Sequence, residues 1–308
     1  MGLAFSLILG LRQIGIFRVW VRMELNMLLF VALLSIAKAN LEIEGIKYFI
    51  VQRIGSRVFW VRVVLGRLYV SHRFLERLIG LSLVLKLGIA PAHSWFIRVI
   101  RGLSWEFLAL ASTAQKVLPV YLFRLTGFDL IRYVLMVRVG ARVLGSINQL
   151  ETKKLLAYSS IFRAVWLLRC GASFSISIQY LSVYALALLV IIGPLFTERR
   201  LNINEVLVKS LKRKICIYFI GFFRIAGSPP FLGFYAKVIV AQVLLANGQL
   251  IFLIYLVRGS VFLLYVYMRF FYQAVTAGRL DTETRRSGYF YRSSLALVLI
   301  GLMVFPWV

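Results

Sequence analysis

Leu78-Ile-Gly-Leu-Ser-Leu-Val-Leu-Lys-Leu-Gly-Ile-Ala-Pro-Ala-His-Ser-Trp-Phe-Ile97 decides the fold. Helix of this length rises about 30 Å, the thickness of a bilayer's hydrocarbon core. Within the stretch Lys86 is the only fixed charge, and His93 is the only other group that titrates near neutrality. A lysine near a helix end commonly snorkels to the headgroups. Lys86 lies roughly ten residues, or about 15 Å, from either end of its apolar window, too far for that escape to be easy. Ionisable groups held at such depth usually mark ion or proton pathways. Just beyond it, Gly88-Ile-Ala-Pro91 predicts a weakened helix, because proline removes a backbone donor and clashes with the preceding turn.

Outward from this stretch, apolar windows recur at 2–18, 20–38, 45–68, 74–97, 104–125, 129–149, 153–171, 174–195, 213–246, 249–273 and 290–307. They predict an all-α, polytopic transmembrane helical bundle of about eleven spans. Backbone groups in hydrocarbon need internal partners, and no period-2 barrel pattern is present, so the spans are expected to be helical. Polar connections at Lys38–Glu44, Thr197–Lys214 and Thr276–Arg292 are too short for a soluble domain, so residues 1–308 read as a single transmembrane domain. Met1 to Gly10 read as the start of a first span, with no visible targeting signal. The window 213–246 exceeds one crossing and holds Gly227-Ser-Pro-Pro230 near its middle. A discontinuous helix is expected there, of the kind that lines ion pathways in transporters; Gly88–Pro91 is the same device more weakly expressed.

Hydrophobic residues make up 61% of the chain and mean hydropathy is +0.86; a soluble domain carries roughly 45–50% apolar residues. Cys170 and Cys216 form no C-x-x-C, and His72 and His93 lie outside any metal-ligand spacing, so no bound redox centre, metal or cofactor is expected. Neither phosphate-cradling glycine motif is present, and no nucleic-acid partner is expected.

Three further charges share the position of Lys86. Lys116 occupies the middle of 104–125, between Gln115 and Pro119, and Lys237 follows the double proline of the broken helix. Glu24 is the only acid in the first two windows, with Asn26 nearby. For Glu24 and Lys237 position alone leaves the helix-end alternative open. An ammonium in hydrocarbon is stable only beside a compensating group. At about 4 Å and an effective dielectric near 20, a carboxylate supplies roughly 4 kcal/mol of attraction. Moving one charge then suffices to release a proton, and a row of such groups joined by water would pass protons along the membrane plane.

Four stretches in order carry a resemblance: W-V-R-M-E-L-N-M-L-L-F (20–30), K-L-G-I-A-P-A-H-S-W-F (86–96) with S-T-A-Q-K-V-L-P (112–119), G-S-I-N-Q-L-E-T-K-K-L-L-A-Y-S-S-I (145–161) and I-A-G-S-P-P-F-L-G-F-Y-A-K (225–237). In them the chain resembles the subunit 2 family of mitochondrial NADH–ubiquinone oxidoreductase, respiratory complex I, whose antiporter-like members are related to multi-subunit sodium/proton antiporters. The resemblance implies helical repeats with broken helices and a proton pathway through Glu24, Lys86, Lys116, Lys237 and His93. It also implies a multi-pass protein of the mitochondrial inner membrane, partnered by other membrane subunits of complex I. NAD and ubiquinone would then be used by the whole complex and not bound by this subunit. For His93 a hydrogen-bonded place near a helix end is the competing reading, and for Lys153 and Lys154 a helix-end role competes with proton entry. Two functional alternatives stay open: a stand-alone cation/proton antiporter, and a membrane scaffold that retains the charges without pumping.

The charge balance departs from that family. Of 37 basic residues, 27 are arginine, against 11 acids, for a net charge of +26. Arg62, Arg138, Arg142 and Arg224 lie deep inside apolar windows, where each costs about 2.5–3.5 kcal/mol. Arg22, Arg101, Arg163 and Arg224 stand where the family pattern has small or polar residues. Two explanations follow. Either the protein is truly basic and holds an anionic lipid such as cardiolipin, or AGA and AGG codons, read as serine in many invertebrate mitochondria, have been read as arginine. Without its arginines the chain keeps ten lysines against eleven acids, a balance of −1.

Overall fold

The computed structural model describes residues 2–11, 15–37, 39–65, 72–125, 144–147, 149, 151–169, 174–198, 220–229 and 231–277. The expected span 290–307, most of 129–149 and most of the connections 197–214 and 276–292 lie outside the described residues, as do Lys38, Arg138, Arg142, Cys170, Cys216 and Pro230. The described elements are helical: α1 Gly2–Leu11, α2 Ile16–Ala37, α3 Ala39–Leu65, α4 His72–Leu87, α5 Ser94–Gly102, α6 Trp105–Ser112, α7 Ala114–Leu125, α8 Thr152–Arg169, α9 Phe174–Glu198, α10 Leu232–Ala246 and α11 Leu250–Ala277. A further helical segment, 220–226, precedes α10. Ile16–Ala37, Ser175–Gly193 and Leu250–Arg269 are each long and apolar enough to cross a bilayer unaided.

The apolar windows and the helices coincide with informative differences. The expected boundary between the first two spans falls inside α2; the chain turns earlier, around Gly15. Gly10 lies on α1 where an added Cβ would come within 2.6 Å of Leu118 on α7, so the small residue allows close approach there. The window 104–125 is also interrupted. Its break lies at Thr113, whose hydroxyl donates to the Ala109 carbonyl at 2.7 Å, while Pro119 sits inside α7 without ending it.

Two helix stops share one design. Gly88 has φ +64° and Gly227 φ +67°, a left-handed conformation that glycine adopts without a Cβ penalty. At the first stop Gly88 N–H donates to Leu85 C=O and Ile89 N–H to Val84 C=O, both at 3.2 Å. At the second, Gly227 N–H reaches Arg224 C=O at 3.2 Å and Ser228 N–H reaches Phe223 C=O at 3.3 Å. Each is the paired 5→2 and 6→1 closure that satisfies the last carbonyls of a helix. The break after Lys86 is therefore as complete as the one before Lys237, contrary to the weaker expression expected for it.

Around these breaks α7 is central, packing on α1, α2, α4, α6, α8 and α9. α3 packs against α2, α4 and α5 and presents two stripes. Tyr48, Gln52 and Ser56, four residues apart, are buried; Ile43, Ile46, Ile50, Trp60 and Val64 are exposed. Gly55 opens the contact with α4, since a Cβ there would lie 3.0 Å from Cγ of Lys86.

Gly88→Ala should lower the melting temperature of the assembled protein. The left-handed backbone alone costs about 1–2 kcal/mol for a non-glycine residue, and the added Cβ would fall 2.7 Å from Cβ of Phe96. Thermal unfolding of wild type and variant, followed in the same detergent, measures this; equal midpoints would show that the stop is not under the constraint described.

Candidate functional site

Lys86 stands in the last turn of α4, beside the stop at Gly88, and is 6% exposed. Its ammonium donates to Oε1 of Glu24 on α2, forming a buried ion pair. Ser56 on α3 donates to the same oxygen at 2.5 Å. One turn back on α3, Gln52 Nε2 donates to the Lys86 carbonyl at 3.0 Å. The broken helix thus exposes a carbonyl and a charge at one residue, and α2 and α3 answer both. Among the described residues Oε2 of Glu24 is buried with no hydrogen-bond partner.

Lys116 lies on the first turn of α7, directly after the Thr113 break, and is 2% exposed. Its ammonium donates to the carbonyl of Ser160 at 2.8 Å and to Ser160 Oγ at 2.6 Å. It also stands 4.8 Å from the centre of the Phe96 ring. No carboxylate pairs with it among the described residues. Lys116 is linked to the first pair through its neighbour: Asn26, two residues beyond Glu24, donates from Nδ2 to Oε1 of Gln115 at 3.1 Å. Tyr48 donates to the same oxygen at 3.3 Å, and Ser6 donates to Oδ1 of Asn26 at 3.0 Å. Gln115 Nε2 is buried without a partner among the described residues.

Lys237, on α10, turns back across the second stop and donates to the Ala226 carbonyl. Gly227 leaves the room for this: a Cβ there would lie 2.8 Å from Cε of Lys237 and 2.9 Å from the Gly233 carbonyl. Lys237 is half-buried and stands 5.8 Å from the Trp166 ring on α8. α8 carries Ser160 toward Lys116 and Trp166 toward Lys237, so both lysines meet the same helix.

His93 occupies the break between α4 and α5 and is 7% exposed. Its Nδ1 lies 3.2 Å from the Pro91 carbonyl, and its own carbonyl accepts the amides of Phe96 and Ile97 at the start of α5. This geometry fits the helix-end reading, and it places His93 three residues before Phe96, whose ring faces Lys116. Lys153 caps the C-terminal end of α5, donating to Leu103 C=O at 2.6 Å and lying 3.4 Å from Arg101 C=O. Lys154 pairs with Glu151 at 3.1 Å. Sequence reasoning passed over Gln52, Ser56, Tyr48 and Ser160. The first three recur every fourth residue in an otherwise apolar helix, a period that marks one face.

The model of the family NADH:quinone oxidoreductase/Mrp antiporter, TM, matches residues 15–263. The chain belongs to this family of antiporter-like membrane subunits. It is 31% identical over 267 residues to NADH-ubiquinone oxidoreductase chain 2 of Anopheles gambiae, covering 82% of this chain and 78% of that one. To chain 2 of Branchiostoma lanceolatum it is 28% identical over 305 residues, covering 92% and 87%. Its fold matches a chain of respiratory complex I from Thermus thermophilus with TM-score 0.72 at 20% identity, over 98% of this chain and 75% of that one. It also matches a chain of the archaeal membrane-bound sulfane sulfur reductase with TM-score 0.70 at 18% identity, over 99% and 72%. A polytopic helical bundle is thus the shared architecture, and in this chain Lys86 and Lys237 stand beside the helix stops at Gly88 and Gly227.

Glu24→Gln should destabilise the protein more than the double replacement Glu24→Gln with Lys86→Met. Removing one partner strands a buried charge, at a cost of about 3–5 kcal/mol, whereas removing both leaves none. Thermal midpoints of wild type, both single variants and the double variant measure the coupling; additive losses would show that the two groups do not interact.

Proposed function

We propose that this chain is a proton-translocating subunit of a mitochondrial NADH:ubiquinone oxidoreductase, seated in the inner membrane among the other membrane subunits of that complex. Electron transfer from NADH to ubiquinone takes place in partner subunits, and this chain supplies one proton path. The observation that carries the reading is the buried Glu24–Lys86 pair beside a helix stop, joined through Asn26 and Gln115 to the neighbourhood of Lys116.

The chemistry follows from what each ammonium touches. Among the described residues Lys86 has a carboxylate, Lys116 the neutral oxygens of Ser160 and the Phe96 ring, and Lys237 a backbone carbonyl. A carboxylate at about 4 Å is worth roughly 4 kcal/mol to a cation at an effective dielectric near 20. Displacing Glu24 from Lys86 therefore favours loss of the lysine's proton, and returning it favours uptake. Asn26 follows Glu24 by two residues on α2, so a shift of that helix is felt at Gln115 and at the first turn of α7. Protons would pass from the Glu24–Lys86 end through Lys116 to Lys237, with water bridging the intervals. His93 belongs to the same proposal as a group in the α4–α5 break able to exchange a proton near Lys116. Such a chain needs residues that change protonation state, which is why lysine, not arginine, is required at its stations.

Two substitutions at Lys116 test this in the assembled complex reconstituted in vesicles. Lys116→Met should lower the number of protons moved per electron while NADH oxidation by quinone continues. Lys116→Arg keeps the positive charge but not the ability to deprotonate, so it too should lower that ratio. A full ratio in either variant would remove Lys116 from the path; loss with methionine and retention with arginine would assign it a fixed electrostatic role.

A further inference from the structure

Lys86, Lys116 and Lys153 have built sites, whereas several arginines are poorly answered: Arg53 has only the Phe49 ring, 5.2 Å away, among the described residues. On α3, residues 43, 46, 50, 53, 57, 60 and 64 form a single stripe at spacings of three and four. Ile43, Ile46, Ile50, Trp60 and Val64 make it an outward apolar face, and Arg53 and Arg57, both exposed, interrupt it at mid-helix. Arg57 lines a groove whose other walls are Trp60, Val61, Val64 and Leu65. On α11, exposed Arg258 follows Ile251 and Ile254 along another outward face. Arg62 has its Nε buried with no partner among the described residues.

Arg163 is the most demanding case. It is 5% exposed on α8, the helix that both Lys116 and Lys237 meet. Its guanidinium lies 3.4 Å over the Tyr184 ring and donates from Nη2 to Ser159 Oγ at 2.9 Å. Its Nε and Nη1 are buried with no partner among the described residues, and its positive charge repels those of Lys116 and Lys237. None of these five arginines has an acid opposite it among the described residues. Arg101, by contrast, meets Glu151 at 3.0 Å. A guanidinium brings five donors into any pocket, and a fold that evolved around one supplies acceptors for them, as this fold does for Lys86 and Lys116.

We propose that the expressed protein carries serine, not arginine, at positions 53, 57, 62, 163 and 258, their codons being AGA or AGG read as serine on a mitochondrial ribosome. The inference rests on the organelle assigned under the proposed function. A serine in a helix satisfies itself by donating to the carbonyl one turn back, and needs no partner from a neighbouring helix. At position 163 it would leave no fixed cation between Lys116 and Lys237, and on α3 it would give a small, uncharged interruption in a lipid-facing stripe.

Complex purified from inner membranes of the source organism, denatured, digested with chymotrypsin and sequenced by tandem mass spectrometry decides the matter. Serine is expected at all five positions, and trypsin applied to the same denatured material should leave the chain uncut after each. Arginine at any of the five overturns the proposal. CGN codons in the coding DNA at those positions would overturn it equally. The membrane fraction that yields the peptides tests the organelle independently of which residue they contain, so the two failures are distinguishable.

Discussion

Hydrocarbon offers no solvent to a polar group, so every charge and every carbonyl freed by a helix stop must be answered by the protein itself. Lys86 concentrates that constraint in one residue. The stop at Gly88 ends the helix there, and the Lys86 carbonyl is met by Gln52 while its ammonium is met by Glu24. Ser56 then answers the carboxylate. Because these groups come from α2, α3 and α4, the packing of three helices is tied to one charge. Gly55 is small for the same reason, giving the Lys86 side chain its path along α3.

The three lysines solve the constraint differently, and the differences have a direction. Lys86 has a full counter-charge. Lys116 has the hydroxyl and carbonyl of a single serine and an aromatic face. Lys237 answers the very carbonyl that its own helix stop leaves free. The carboxylate therefore stands at one end of the series, while among the described residues Lys116 is held by neutral groups, which stabilise it less than a carboxylate would. In the proton path proposed above, a displacement of Glu24 would change the field felt by the lysines of the series. The Asn26–Gln115 bond ties α2 to the first turn of α7.

A second charged cluster gathers at helix ends. Lys153 caps α5 through Leu103 and the Arg101 carbonyl, and Glu151 gathers Arg101 and Lys154. Glu44, paired with Lys47 at 2.8 Å, lies against Gly102 at the same end of α5. This cluster joins the starts of α3 and α8 to the end of α5, the half-helix that presents Phe96 to Lys116. Cations near a helix C-terminus complement its dipole as well as its open carbonyls, so these contacts fix the end of α5.

How far the sequence reveals such a fold depends on whether a residue's partner is near in the chain. Lys86, Lys116, Lys237 and Glu24 stand out because charge in an apolar window is costly wherever it points, and Gly88 and Gly227 stand out because the stop they make is local. Tyr48, Gln52 and Ser56 were legible in principle, as a four-residue period, but each alone is an ordinary residue in a span. Ser160 was not legible at all: serine is common in membrane helices, and only the crossing of α7 and α8 turns its two oxygens toward Lys116. The break at Thr113 hid for a related reason. Threonine back-bonding to Ala109 competes with the helix only mildly, and Pro119, the louder marker six residues later, proves compatible with α7. A strong local breaker is therefore neither necessary nor sufficient for a discontinuity. What decides is whether the tertiary contacts on the far side, here the seat of Lys116 on α8, compensate for the backbone bonds that are lost.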